Sequence, residues 1–501
     1  MNELLFPVFS LPHELIADLR RQNPWWEGSP LPPVPPYRRW PFAKLKTRLE
    51  EPLAPILVIR GSRQIGKTTL QLQLVSDLLA RGVASSRILR VQFDELASLR
   101  GLRAKEPILR IADWFERAVM QRTFNAAAQA GEPAYLFLDE VQNLDAWDVQ
   151  LKSMVDHSSV RAMVTGSSAL RIGLGRDSLA GRIQSFEVGP LRLVEIAALR
   201  GLGDLRPAQV ENGWSEWLEP DFWRTLAAAG RRQGAVLAGA FAAFSERGAY
   251  PLAQAHAQVS WPEVADQLNE TIVKRVIEHD LRVGERGRKR DRQLLEQVFR
   301  MACRYIGQAP KPLHLAREAS ATLNANVGPQ RIRHYLSFLD QSMLVRTVPP
   351  LEIRLKKQRS PDRLCLCDHA LRAAWLQEIV PLTASALDAA QHLQVIAGHI
   401  AESTVGYYLS SLTGLDVAHL PERGDQPEVD FILTIGERRI PVEVKYQRTI
   451  SPWSDTLGLK AFIEKRQNNA TFGLLITRDE DVAIEDPRVV VVSLKSLLIV
   501  R

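Results

Sequence analysis

Short apolar runs alternate with helical periodicities between residues 51 and 200. The run 55–59 (PILVI) is continuously apolar, and residues 69–80 repeat apolar positions at the spacing of an amphipathic helix. Three further apolar runs of strand length follow, at 88–93, 135–139 and 162–165. Continuous apolar strands between helices are typical of a parallel sheet that is covered on both faces. This part of the chain is therefore predicted to be an α/β domain.

The pattern changes after residue 200. Residues 201–281 are rich in alanine and leucine without a strand pattern, which predicts a helical lid. Residues 293–350 then read as three helices followed by a strand; these elements are predicted at 293–307, 313–323, 330–339 and 344–348. This order is typical of a winged helix-turn-helix, whose third helix usually enters the major groove of DNA. The same order also occurs in structural or dimerisation modules.

The C-terminal part of the chain is predicted to be mixed α/β. A helix is predicted at 393–410, and a second one at 456–467 lies between two predicted strands. The predicted strands are 429–433, 439–445 and 473–477. Two cysteines occur in an alternating run at 364–368 (LCLCD), which we interpret as a strand rather than a metal site.

The N-terminal segment contains the proline-rich stretch 30–36 (PLPPVPP) between aromatic residues. Proline stiffens such a segment into an extended form. We favour an arm packed on the α/β core over a partner-binding motif. The predicted boundaries are thus an arm at 1–50, a core at 51–200, a lid at 201–285, a winged helix at 286–355, and a C-terminal domain with its connector at 356–501.

Composition narrows the class of protein. The chain has 501 residues and a formal charge of +7, a mild excess that suggests a polyanionic partner without proving one. Three cysteines are too few for a disulfide framework. The N-terminus lacks the basic region of a signal peptide, and no window approaches 18 uncharged apolar residues. We expect a soluble cytoplasmic protein with no membrane association.

The run 61–68 (GSRQIGKT) fits the phosphate-binding pattern G-x-x-x-x-G-K-[ST] between a predicted strand and a predicted helix. Its glycines let backbone N–H groups cradle phosphates, and the helix N-terminus adds its dipole. Lys67 places a charge on the β and γ phosphates, and the Thr68 hydroxyl ligates Mg²⁺. The predicted nucleotide-binding residues are Gly61, Ser62, Arg63, Gln64, Ile65, Gly66, Lys67, Thr68 and Thr69.

Two carboxylates end the apolar run 135–139. We assign Asp139 to Mg²⁺, held through water, and Glu140 to polarising the attacking water. The next strand runs into 165–168 (TGSS), where a polar residue such as Ser167 can reach the γ-phosphate. Arg182 follows shortly afterwards and is either an arginine finger for a neighbouring subunit or an ordinary surface arginine.

A second group of candidate residues lies near the C-terminus. Alternation along 439–445 places Glu443 and Lys445 on one face, and Asp430 belongs to the neighbouring strand of a predicted hairpin. Two carboxylates can hold Mg²⁺, and a lysine can orient water. Glu402, on the helix before them, could add a third carboxylate. The alternative is a solvated hairpin of alternating charges.

Taken together, these motifs resemble the prokaryotic AAA+ ATPases that carry a C-terminal restriction-endonuclease-like domain of the PD-(D/E)xK fold. The matching pieces are GSRQIGKTTL, YLFLDEVQNL, TGSS, SLAGR, RGAYP, GHIAES, PEVDFIL and VEVKY, in this order. The implied fold is an AAA+ P-loop core with a helical lid, a winged helix-turn-helix and a mixed α/β nuclease-like domain.

The resemblance also implies roles for individual residues. It assigns Ser167 or Ser168 to the first sensor, Arg182 to the finger, and Glu402, Asp430, Glu443 and Lys445 to a nuclease-type metal site. It implies ATP and Mg²⁺ as cofactors, with nucleotide at the subunit interfaces of a hexameric or similar ring. The motif at 247–251 (RGAYP) offers no clear second-sensor arginine.

Three functions are consistent with the sequence. The first is an ATP-driven protein that remodels or translocates duplex or branched DNA, such as a four-way junction. The basic run 282–292 (RVGERGRKRDR) favours this function, although such runs are more often solvated loops. The second is a nucleotide-gated assembly switch in defence or regulation. The third is a Mg²⁺-dependent nuclease that ATP hydrolysis licenses.

Overall fold

The computed structural model describes residues 11–96, 98–99, 106–166, 178–208, 214–277, 291–352, 360–422, 424 and 426–500. The chain divides into two compact units, Met1–Val188 and Gly189–Arg501. Ser167, Ser168 and all but the last two residues of the basic run lie outside the described residues. No described helix has the length and apolar character needed to cross a membrane.

The first unit is built on a five-stranded parallel sheet in the order β2-β3-β4-β1-β5. Its strands are β1 (Ile56–Arg60), β2 (Ile88–Gln92), β3 (Ala134–Asp139), β4 (Val160–Gly166) and β5 (Ile183–Glu187). The four strands predicted from apolar runs are confirmed, and β5 is an addition. Because β1 and β3 are fully or almost fully buried, they form the centre of the unit's core.

Six described helices accompany this sheet. They are α1 (His13–Gln22), α2 (Pro41–Glu50), α3 (Lys67–Ala80), α4 (Pro107–Trp114), α5 (Phe124–Gln129) and α6 (Trp147–His157). Helix α3 starts directly after Gly66, whose positive φ of 92° marks the turn from loop into helix. The helix predicted at 69–80 is thus confirmed, and it starts two residues earlier, at Lys67.

The N-terminal arm packs on this core. The indole N–H groups of Trp25 and Trp26 both donate to the carbonyl of Ile88 on β2, at 3.1 and 2.9 Å. Further along, the Gln73 side chain on α3 donates to the carbonyls of Pro35 and Tyr37, each at 2.8 Å. These bonds fix the proline-rich stretch to α3 and confirm the preferred interpretation of the arm.

The second unit begins with helices and contains no described strand before residue 345. Its first helices are α7 (Leu193–Leu199), α8 (Pro220–Arg232), α9 (Gly234–Arg247), α10 (Pro251–Ala255) and α11 (Trp261–Leu268). This agrees with the helical character predicted for 201–281. Three more helices follow, α12 (Arg292–Arg304), α13 (Pro312–Leu323) and α14 (Pro329–Gln341). Proline is the first residue of both α13 and α14, a position that needs no N–H donor.

A two-stranded antiparallel sheet comes next, formed by β6 (Val345–Val348) and β7 (Arg363–Leu366). The alternating cysteine run is a strand, as expected, and both of its cysteines are buried free thiols. The unit then forms a mixed five-stranded sheet in the order β12-β11-β10-β9-β8. The strands are β8 (Asp416–Leu420), β9 (Val429–Ile435), β10 (Arg438–Lys445), β11 (Gly473–Thr477) and β12 (Val489–Ser493).

The helices of this C-terminal part are α15 (His369–Leu376), α16 (Ala384–Ala389), α17 (Gln394–Ser410), α18 (Leu457–Glu464) and α19 (Leu494–Leu497). Helix α17 packs tightly at Gly406. A Cβ atom there would lie 2.5 Å from the Cys365 sulfur and 2.6 Å from the Phe431 ring. The glycine therefore sets the distance between α17 and strands β7 and β9.

This contact gives a matched pair of variants on one helix. We expect Gly406→Ala to destabilise the protein by about 1–3 kcal/mol, because the added methyl group cannot be accommodated without displacing β7 or β9. Gly398→Ala adds a methyl group where no atom lies within 4 Å. It should stabilise the helix by about 0.5–1 kcal/mol. Denaturant unfolding of both variants tests this; equal free energies of unfolding would contradict it.

Candidate functional site

The loop between β1 and α3 has two glycines whose backbone positions disfavour a side chain. A Cβ on Gly61 would lie 2.4 Å from the Val188 carbonyl oxygen, and closer still to the Ile65 side chain. Gln64 and Gly66 both have left-handed backbones, with φ of 60° and 92°. A side chain is therefore excluded at Gly61, and the positive φ of Gly66 favours glycine, so the backbone stays open at both ends of the predicted phosphate cradle.

Lys67 is the first residue of α3, and only 6% of its surface is exposed. Its ammonium group donates to the carbonyls of Gly61 and Ser62, at 3.0 and 2.8 Å. The charge is thus held over the glycine loop at the N-terminus of the helix, where the backbone dipole also favours an anion. Thr69 is half-buried in the same turn of the helix.

Asp139 ends β3 and is fully buried. Its carboxylate accepts a hydrogen bond from the Thr68 hydroxyl at 2.7 Å and another from the Thr165 hydroxyl on β4. Burial raises the pKa of Asp139, and the bond from Thr165 opposes that shift. A hydroxyl and a carboxylate lie side by side at the edge of the loop. These are oxygen ligands of the kind that Mg²⁺ binds beside nucleotide phosphates.

Glu140, the next residue, has a strained backbone with φ of 55°. A left-handed conformation costs a residue with a Cβ on the order of 1–3 kcal/mol and occurs often at functional sites. The Gln142 side-chain amide donates to its carboxylate. The turn therefore carries Glu140 away from the direction of β3, and a glutamine on the following turn holds the carboxylate.

Two arginines of this unit were not among the predicted site residues. Arg39, after the proline-rich stretch, is 7% exposed and donates to the Ile65 carbonyl of the loop at 2.6 Å. Arg90 on β2 lies 3.6 Å from Asp139 and donates to the Gln92 side chain at 2.6 Å. Both residues come from segments far from the loop in sequence, so only the fold brings them to it.

Arg182 lies at the surface and pairs with Asp156 on α6. Its Nε donates to one carboxylate oxygen at 2.5 Å, and its Nη2 donates to the other at 3.0 Å. The motif at 247–251 was considered for the second sensor, and its Arg247 is buried within the second unit. Arg247 donates to the carbonyls of His256 and Val259, at 3.2 and 2.8 Å. It therefore supports the turn after α10 by contacts with the backbone of that turn.

The C-terminal candidate residues meet at the β9–β10 hairpin. The hairpin register pairs Phe431 with Val442, so Asp430 and Glu443 are neighbours. Asp430 accepts a hydrogen bond from the backbone N–H of Val444 at 2.9 Å, and Lys445 lies 2.7 Å from Glu443. Burial, together with the nearby Asp430, raises the pKa of Glu443 to about 8. The second carboxylate oxygen of Glu443 is buried without a hydrogen-bond partner.

Glu402 on α17 reaches the same cluster through an arginine that the sequence analysis did not include. Arg363 lies 3.1 Å from Glu402 and 3.0 Å from Asp430, and it also contacts Glu428. Within the described residues, no three histidine, cysteine or acidic side chains are arranged to hold a metal ion. The carboxylates converge on a guanidinium, and their arrangement does not fit the predicted Mg²⁺ site.

The three helices α12–α14 and strand β6 follow one another in the predicted order, and β7, which pairs with β6, lies beyond the predicted boundary at residue 355. Helix α14 buries Ile332, Tyr335, Phe338 and Leu339. Its other face is exposed and polar, and carries Gln330, Arg331, Arg333, His334 and Ser337. Arg331 lies 3.4 Å from Asp291 at the start of α12. The third helix thus presents hydrogen-bond donors to solvent.

Three family models match separate parts of the chain. Residues 54–197 match the AAA domain. Residues 240–383 and 397–497 match two domains of unknown function, DUF8612 and DUF4143. The first match spans β1 to α7, and includes the glycine loop, Asp139, Glu140 and Arg182. Residues 54–197 form an AAA-type P-loop ATPase domain.

One protein sequence and two solved structures are similar to parts of the chain. The uncharacterized protein MJ1637 of Methanocaldococcus jannaschii is 26% identical over 152 residues, which is 30% of this chain and 29% of that protein. The Walker-type ATPase PABY2304 of Pyrococcus abyssi aligns with a TM-score of 0.38 and 14% identity, over 69% of this chain and 99% of that one. The Saccharomyces cerevisiae Hsp104–ADP complex aligns with a TM-score of 0.29 and 16% identity, over 65% and 43%.

Arg39 lies outside the matched AAA domain, although it bonds the loop of that domain. The arm therefore contacts the loop directly, through the hydrogen bond that the Ile65 carbonyl accepts from Arg39. The matches to the two domains of unknown function divide the second unit near residue 390, between α16 and α17. Arg363 belongs to one match, and Glu402, Asp430 and Glu443 belong to the other.

The geometry of Glu140 generates a prediction about turnover. Glu140→Gln should still bind ATP but slow its hydrolysis by about 10²-fold or more, because the amide cannot accept a proton from water. ATPase rates and nucleotide affinity are to be measured together. The matched control is Glu132→Gln, an exposed carboxylate before the opposite end of β3, which should leave the rate unchanged. Normal turnover by Glu140→Gln would show that another group activates the water.

Proposed function

We propose that the chain is a Mg²⁺-dependent ATPase that works as a ring and acts on DNA. The observation that carries the ATPase part is the 2.7 Å contact between Thr68 and Asp139 beside the glycine loop. It unites a hydroxyl from the start of α3 with a carboxylate from the end of β3. These are the two positions from which a P-loop protein holds a nucleotide-bound metal ion.

The residues of the nucleotide site have separate roles in ATP hydrolysis. When bound, Mg²⁺ neutralises charge on the phosphate oxygens. The glycine loop binds and orients the triphosphate, and Lys67 provides a positive charge to its terminal phosphates. Asp139, through its bonds with Thr68 and Thr165, positions the Thr68 hydroxyl. Glu140 then takes the proton from the attacking water.

Arg182 is proposed to complete the site of a neighbouring subunit. It lies at the surface of the AAA domain, where it pairs with Asp156, and exposed ion pairs contribute little stability. Replacing the contact with Asp156 by a contact with a phosphate group therefore loses little free energy. An arginine finger contributes about 10³–10⁵ in rate, so a ring that shares it depends on assembly for activity.

Mixing two inactive variants tests this arrangement. Lys67→Ala should lose nucleotide binding, and Arg182→Ala should bind ATP but hydrolyse it slowly. When the two proteins are mixed, subunits with an intact loop can receive Arg182 from Lys67→Ala neighbours, so part of the ATPase rate should return.

Asp156→Asn is the control, because it removes the ion pair and leaves Arg182 in place; its rate should be unchanged. Complementation requires both an oligomer and a finger that acts between subunits. If the mixture is no more active than its two components, while size-exclusion chromatography shows mixed oligomers, then Arg182 does not act in a neighbouring site.

The exposed face of α14 supports DNA as the partner. Gln330, Arg331 and Arg333 are donors of the type that contacts phosphates and base edges. They lie on the third helix of a three-helix arrangement that an antiparallel hairpin follows, as in winged helices. The net charge of +7 acts in the same direction.

Substituting both arginines of this face should weaken DNA binding. We expect Arg331→Ala with Arg333→Ala to reduce affinity for duplex and four-way-junction DNA, and to lower the salt slope of log K by about 2. Fluorescence anisotropy at several salt concentrations measures both quantities. The double variant Arg231→Ala with Arg232→Ala, two exposed arginines on α8, is the charge-matched control. Equal effects in both pairs would mean that α14 is not the contact.

No cleavage step is proposed for the C-terminal cluster. Asp430 and Glu402 are both bonded to Arg363, and Lys445 is paired with Glu443. We assign the five-stranded sheet of this domain to DNA binding rather than to cleavage. ATP turnover in the first unit is therefore the only chemical reaction of the proposed function.

A further inference from the structure

Arg363, the first residue of β7, has 3% of its surface exposed. Its Nη1 donates to the Gly307 carbonyl at 2.9 Å and to Glu402 at 3.1 Å, and it lies 3.0 Å from Asp430. Its Nη2 contacts Glu428. The guanidinium also lies 5.4 Å from the centre of the Phe431 ring. One cation is thus surrounded by three carboxylates, a carbonyl and an aromatic face.

The bonds of Arg363 use the oxygens that a metal ion would need. Asp430 Oδ1 lies against the guanidinium, and Asp430 Oδ2 accepts the N–H of Val444. Glu402 offers the same oxygen, Oε2, to Arg363 and to the ring of His399. Mg²⁺ requires near-octahedral oxygen ligands at about 2.0–2.1 Å. A guanidinium at hydrogen-bond distance from two of the predicted ligands therefore competes with a metal ion for the same oxygens.

Electrostatics also favour a guanidinium at this point. An arginine stays charged at every physiological pH and matches carboxylates with several fixed donors. Although burial lowers the pKa of Arg363, Asp430, Glu402 and Glu428 outweigh that effect and raise it. A buried charge is tolerated when it is paired and hydrogen-bonded, and both conditions hold here.

We propose that Arg363 is the built-in cation of this carboxylate cluster and takes the position of a divalent metal ion. The cluster then folds without a metal and links β7, α17 and β9 through one side chain. This inference goes beyond the proposed function and is independent of it, because it concerns only residues of the second unit.

Glu443 is the carboxylate of the cluster that Arg363 does not contact. Glu443 is 8% exposed, and one of its carboxylate oxygens has no hydrogen-bond partner. Asp430 is its neighbour across the hairpin. Without the guanidinium, the buried carboxyl groups of Asp430 and Glu402 would lose their contacting cation, since Lys445 is paired with Glu443. A divalent cation with a preference for oxygen ligands would replace that cation.

The test measures Mn²⁺ binding to the full chain without nucleotide, by calorimetry and by electron paramagnetic resonance. The wild type should have no Mn²⁺ site that depends on Asp430. Arg363→Gln should gain one, seen as an additional Mn²⁺ ion bound per chain. The additional site should disappear in Arg363→Gln with Asp430→Asn. Because Asp430 belongs to the second unit, this dependence separates the new site from the nucleotide site.

Arg363→Lys is the charge-matched control and should remain without the site. An Asp430-dependent Mn²⁺ site in the wild type would overturn the proposal, and so would a folded Arg363→Gln protein without one. If Arg363→Gln folds only when Mn²⁺ is added, as circular dichroism can show, the metal has replaced the arginine and the proposal is supported. Failure to fold even with Mn²⁺ would count against it.

Discussion

The complete burial of Asp139 is the constraint on which the nucleotide site depends. A buried carboxylate needs partners, and here the two hydrogen bonds come from different elements, the start of α3 and the end of β4. Satisfying Asp139 therefore fixes the glycine loop against the tip of β3. In the sheet β3 lies between β2 and β4, and each neighbour places a polar side chain, Arg90 or Thr165, near Asp139.

The parts of the fold that the sequence predicted are those with a local cause. Strands β1 and β3 are continuous apolar runs, and the glycine loop needs its residue types at fixed spacing. Strand β5 was missed because only Phe186 among its five residues is fully buried, so its composition resembles a loop. Strand β8 starts with an exposed aspartate and contains a buried His419, whose ring bonds the Pro361 carbonyl. Such a histidine gives no strand signal before its partner is known.

In the candidate sites, too, the residues with a local sequence pattern were predicted and those with distant partners were not. Alternation along β10 predicted that Glu443 and Lys445 share a face, and their 2.7 Å contact agrees with it. Arg363 could not be predicted, because its partners Glu402 and Glu428 are 39 and 65 residues further along the chain. Arg39 is likewise 26 residues from the loop carbonyl that it bonds. A pattern of residue types identifies what a strand presents, but the position of a counter-ion follows only from the packing of distant elements.

Asp139 and Asp430 show how such a counter-ion decides the chemistry of a buried carboxylate. Each has an arginine nearby, but Arg90 remains 3.6 Å from Asp139 and donates to Gln92, whereas Arg363 lies 3.0 Å from Asp430. The first distance is longer than a hydrogen bond and the second is within its range. Asp139 is thus held by hydroxyl groups, and one of them, that of Thr68, is the group that we propose shares a divalent ion with it. Asp430 already has a full positive charge at contact distance, so a metal ion there would have to displace an arginine that three carboxylates hold.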